Sequence, residues 1–166
     1  MQVTEYVAQQ TVRMAEALAH FVQTTQQDRL DWQPVGEGGA ATRSALDQVS
    51  ECIHTNRVVA AVLRGDAVTA ADLQGSSLSG HVLGNEFVDG ADAQQQLMAS
   101  AEELAAAIRG MSDEDLERIY PHPRASMRGQ NIILICYRNM AYHAGQINFI
   151  QTLYGDQEFH LPPNWR

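Results

Sequence analysis

Cysteine is scarce in this chain: Cys52 and Cys136 are the only two in 166 residues, with no CxxC spacing. That excludes a disulfide scaffold and a redox pair, and their apolar settings predict two buried thiols. Basic residues are few, 11 against 20 acidic ones, for a net charge of -9. A nucleic-acid partner or an anionic membrane would be repelled by such a surface. No run of 18 apolar residues is present, so no membrane-spanning helix is expected. The start, "MQVTEYVAQQTVRM", lacks the basic end and apolar run of a signal peptide, and a cytoplasmic location is expected. A glycine-rich phosphate loop, a nucleophile elbow and a zinc-protease helix are all missing. Strand-like alternation and internal repeats are missing too. The length suits one domain, 1–166, with a real core.

What is present is helical periodicity. Val3, Val7, Met14, Leu18 and Phe21, joined by Tyr6 and Ala17, recur every three to four residues through about Thr25. The segment "DRLDWQPVGEGGAATRS" then breaks the pattern, and Thr42 or Ser44 offers an oxygen to cap the next helix. A second helix is expected from about Ser44 to Leu63, with Leu46, Val49, Ile53, Ala60 and Leu63 inward and Gly65 as its stop. A long Gly/Ser/Asp-rich crossover follows, with one short helical turn near Ala70 to Leu73. A crossover of that length can join two parallel neighbours.

The third helix reads from Leu97, Ala101, Leu104, Ile108 and Met111. Ser112 then caps a short helix in "MSDEDLERIY", with Met111 against Leu116 as a staple. The fourth runs from about Gly129 to Tyr154 with Ile133, Cys136, Met140, Ile147 and Ile150 on one stripe, and Gly155 stops it. Its Gly145 is expected to let a neighbouring helix approach. The tail "DQEFHLPPNWR" is expected to be extended and held by Phe159 and Trp165, and Trp32 to anchor its loop. The architecture is all-α: a four-helix bundle with a long crossover loop between helices two and three.

On the fourth helix, His143 lies three residues after Met140 and four before Ile147, which turns it inward, with Asn139 one turn earlier on the adjoining face. On the second, His54 flanks the apolar stripe and is expected to point across to them. Bundle metal sites are built from such inward side chains on facing helices. A histidine in a helical core is more often simply hydrogen-bonded. Glu51, three before His54, Gln146, three after His143, and Cys136 lie near the same face and offer further donors or hydrogen-bond partners. His20, His81, His122 and His160 have no partner at ligand spacing and read as surface or loop residues.

The histidine in "DQVSECIHTNR", taken with "NMAYHAGQINFIQ", resembles the DinB-like superfamily, the bundle group that includes the YfiT-like metal hydrolases. The resemblance runs from "LDWQP" to "YGD". It implies a four-helix bundle, commonly a homodimer, that holds a divalent metal through one histidine of helix two and an HxxxH pair on the last helix. Relatives include transferases that use the thiols mycothiol or bacillithiol. Residue by residue, the ligands map to His54, Asn139 and His143, with Glu51 and Gln146 as supporting groups. Asn139 departs from the pattern, since a carboxamide oxygen is a poorer donor than imidazole for nickel or zinc. Two functions follow from the resemblance. One is a hydrolase or thiol S-transferase that uses nickel, zinc or manganese on a small electrophilic molecule. The other is a metal-free binding or structural bundle that has lost one ligand.

Overall fold

The computed structural model describes residues 1–40, 42–69, 72, 85–120 and 126–165. Helix α1 spans Val3–Thr24, α2 Ala45–Arg64 and α3 Gly90–Arg109. The short α4, Asp113–Glu117, leads into β1, Ile119–Tyr120, which pairs antiparallel with β2, Met127–Arg128. Then come α5, Gly129–Ile132, and α6, Ile135–Leu153. Single 3-10 turns occupy Gln27–Arg29, Glu37–Gly39 and Pro163–Trp165. No helix among the described residues is long and apolar enough to cross a membrane. The expected helical turn near Ala70 to Leu73 lies, Asp72 apart, outside the described residues, as do His81 and His122.

The helix ends follow local chemistry. Ser44 caps α2: its side chain accepts from the Asp47 N–H, and the Asp47 carboxylate accepts from the Ser44 N–H. Gly65, at φ 82°, closes the same helix in the left-handed conformation open to glycine. Ser112 and Asp115 repeat the reciprocal cap on α4. There the Ser112 N–H and hydroxyl hold the Asp115 carboxyl below its ordinary range.

Polar contacts between helices give their directions. Glu5 at the start of α1 pairs with Arg109 at the end of α3, so these two are antiparallel. Asn56 meets Ser100 and Arg64 meets Glu103, so α2 and α3 run parallel. Gln151 near the end of α6 donates to the Phe21 carbonyl near the end of α1, so that pair is also parallel. Cys136 lies by Thr55 and His143 by Gln48, which makes α2 and α6 antiparallel. Both α3 and α6 pack between α1 and α2, which meet each other only narrowly. The crossover between α2 and α3 therefore joins parallel neighbours, as its length predicts.

Two apolar clusters fill the interior. One centres on Leu18, Phe21, Val49, Leu97 and Ile147, the other on Val59, Leu104, Ile108, Ile133 and Cys136. Four expectations change in detail. The last helix is interrupted at Ile133 and Leu134, where the Leu134 N–H bonds the Asn131 carbonyl three residues back and tightens the turn. A two-residue ladder forms that is too short to show alternation. Phe159 is 61% exposed, so the tail is held instead by Trp165, edge-on to Phe21 at 6.3 Å, and by Asn164, which exchanges bonds with Arg13. Gly145 faces open space rather than a neighbouring helix. Trp32 does anchor its loop, edge-on to Tyr154 at 5.9 Å.

Gly129 is where a side chain is forbidden: a β-carbon there would collide with the Asp115 carbonyl oxygen and come within 2.9 Å of the Leu116 Cα. Backbone cannot swing aside as a side-chain tip can. Gly129→Ala is expected to destabilise the fold by about 1–3 kcal/mol, as overpacking does. Urea unfolding followed by circular dichroism reads this directly, and an unchanged midpoint would contradict the close packing of α5 on α4.

Candidate functional site: a buried ion pair on His143

The interior of the bundle carries polar groups at the N-terminal end of α2. Thr55, Glu51, Gln48 and Asp47 are all buried. Arg43, one residue before the cap, is buried as well, with 7% of its side chain exposed. Opposite, α6 contributes His143, wholly buried, and the half-buried Gln146.

These groups form one connected set. The Arg43 Nη1 donates to Glu51 Oε2, a charge-assisted bond inside the protein. The other oxygen, Oε1, lies 3.0 Å from His143 Nε2. Oxygen therefore meets the ring at its Nε2 edge. The Nδ1 edge faces the side-chain carbonyl oxygens of Gln48 and Gln146, the latter at 2.8 Å. Arg43 Nη2 in turn donates to Gln146 Oε1 at 3.4 Å. The set thus bridges connector, α2 and α6, and within it the guanidinium and carboxylate charges cancel.

Asp47 performs a related task one turn before Glu51. Besides capping α2, its carboxylate accepts from Gln33 at 3.2 Å and from Asn85 at 3.4 Å. Asn85 also bonds Asp31 at 2.8 Å. The connector after α1 and the segment entering α3 are thereby tied to the same helix end that presents Glu51.

The sequence-derived residues divide. His143, Glu51 and Gln146 are brought together. Asn139 is half-buried, and its Nδ2 faces the Cys52 sulfur at 3.7 Å. His54 is exposed; with Arg57 and Arg64 it forms the solvent stripe of α2, and it lines a surface cavity with Arg57, Val58, Ala61, Val68 and Asp72. The α2 residue that meets His143 is therefore Glu51, one turn before the expected histidine. Flanking apolar residues could not separate the two, because nearly every residue of α2 from Ala45 to Ala60 is buried. Arg43 and Gln48 are participants that periodicity missed. Polar residues at Gln48, Glu51 and Thr55, spaced three and four apart on a mostly apolar helix, were the available signal. Cys52 and Cys136 are free and buried, and desolvation pushes both thiols well up, so neither supplies a reactive thiolate.

The donor set does not suit a divalent ion. A guanidinium sits on the carboxylate that faces His143. Among the described residues, no group of three or more His, Cys, Asp or Glu side chains could hold a metal. The arrangement instead suits a locked structural network. Glu51→Ala is expected to cost about 3–5 kcal/mol, because it leaves Arg43 charged, buried and without its carboxylate. His54→Ala, on the solvent stripe, is expected to stay within about 0.5 kcal/mol of the parent. Chemical denaturation of the two variants separates these roles, and equal effects would contradict them.

Comparison with known proteins agrees with this architecture. No curated protein matches the chain. A family model described as "DinB superfamily" matches residues 10–147, from early α1 to late α6 and across every helix of the bundle. On that match the chain belongs to the DinB superfamily.

Proposed function

We propose that this chain is a metal-free DinB-fold bundle, a binding or structural homodimer whose centre is a neutralised polar core rather than a reaction centre. The observation that carries this reading is the buried Arg43–Glu51 ion pair against His143. A hydrolase or thiol S-transferase of the metal-dependent kind needs an open cation position at which a water or thiol is acidified. Here a guanidinium stands on the carboxylate that would hold the ion. Two free, buried thiols and the acidic surface fit a cytoplasmic setting.

The dimer has support from the outer face of α6. Tyr142 is 58% exposed and Phe149 63%, with Leu153 also exposed one turn after Phe149. Gly145 stands between the two aromatic residues with nothing near it. A small residue flanked by large apolar ones on both sides is self-complementary about a two-fold axis, which an isologous interface requires.

Two measurements test this reading. Protein purified without an affinity tag, incubated with micromolar zinc, nickel or manganese and then desalted, is expected to carry well under one metal per chain by elemental analysis. Stoichiometric metal would sink the metal-free reading. In sedimentation velocity the parent is expected at the dimer mass and Phe149→Glu at the monomer mass with unchanged helicity. A monomeric parent at micromolar concentration would remove the dimer.

A further inference from the structure

We infer that Arg43, rather than the asparagine at position 139, is what keeps a divalent cation out of this bundle: its guanidinium is a chain-supplied cation that takes the place of an external one. The inference rests on the metal-free reading and names the residue responsible for it.

Arg43 engages two side chains, Glu51 and Gln146. Glu51 offers one oxygen to the guanidinium and the other to His143 Nε2 at 3.0 Å. Gln146 Oε1 lies between Arg43 Nη2, at 3.4 Å, and His143 Nδ1, at 2.8 Å. Carboxylate and amide oxygen therefore both bond one cationic group, and the Glu51 oxygen beside His143 Nε2 stands at the spacing of neighbouring ligands on a small ion. Two donors each about 2.1 Å from a shared ion stand about 3 Å apart at right angles. At that carboxylate the place of an external cation is taken by Arg43.

A lost ligand at Asn139 alone would weaken such a site without closing it. A resident positive charge closes it for two reasons. It cancels the Glu51 charge that would attract the ion, and it repels a second cation at short range in a poorly screened interior. Asn139 is also well placed for repair: it stands one turn before His143 and contacts Cys52, the neighbour of Glu51. A histidine there would join the set once the guanidinium is gone.

Zinc titration calorimetry on four proteins decides the matter: wild type, Asn139→His, Arg43→Ala, and the Arg43→Ala/Asn139→His double variant. Wild type and Asn139→His are expected to show no binding at micromolar zinc. The double variant is expected to bind one zinc per chain, tighter than Asn139→His by about 100-fold or more. Arg43→Gln in place of Arg43→Ala keeps a neutral hydrogen-bonding group for Glu51 and should give the same gain if the alanine variant folds poorly. In either background, zinc should raise the melting midpoint of the double variant, and EDTA should reverse it. Asn139→His binding zinc as tightly as the double variant, or folded double variants that bind none, would overturn the part given to Arg43 while leaving the metal-free reading intact. Stoichiometric zinc in the wild type would instead overturn the reading itself.

Discussion

The ion pair between Arg43 and Glu51 is the constraint on which the arrangement of the bundle centre depends. Taking two charges out of water costs several kcal/mol per ion, and Coulomb attraction returns that only when geometry is good and the remaining hydrogen-bonding capacity is met. Glu51 uses its second oxygen on His143, and Arg43 its second terminal nitrogen on Gln146. The pair adds little net stability over an apolar filling of the same volume. Each member alone would be an uncompensated buried charge, so each makes the other obligatory.

That mutual requirement explains why the N-terminal end of α2 is so well tied down. Ser44 and Asp47 cap the helix, Asp47 reaches to the connector and to the segment entering α3, and the Leu46 N–H donates to the Leu30 carbonyl at 3.2 Å. Arg43 enters the core from the residue before the cap, so its guanidinium reaches Glu51 only if the first turn of α2 forms as it does. Local capping and the tertiary ion pair thus support one another, the agreement between levels expected of a sequence with a single well-defined fold.

The fold was largely legible because amphipathic period and end signals are local. The stripe in α1, the Ser44 and Ser112 caps and the Gly65 and Gly155 stops all depend on residues within one or two turns. The site was less so. His143 could be turned inward from its spacing to Met140 and Ile147, whereas α2 is buried on almost every side, and no apolar stripe could say which of Glu51 and His54 faces α6. Arg43 was still harder to foresee, since a charged residue beside a glycine-rich connector reads as solvated until its partner across the bundle is known. Gly145 and Phe159 mislead in the opposite sense: types that usually pack inward stand in the open.

Polar groups recur along the α2–α6 seam and bear on how these antiparallel helices choose their register. One layer holds Arg43, Gln48, Glu51, His143 and Gln146; the next places Asn139 on Cys52 and brings Asn56 to Ser100 and Met140. Apolar side chains alone pack tolerably after a slip of one helical turn, about 5.4 Å. A slip here would carry His143 off Glu51 and Gln48 and part Arg43, Glu51 and Gln146 from their present partners, at a cost of about 1–3 kcal/mol for each polar group left unpaired and more for a charge. Out-of-register packings are penalised more heavily than the native one is rewarded, so the polar seam acts on specificity more than on stability. A histidine, an amide and an arginine in the middle of a helical core are then what one alignment of α6 on α2 requires.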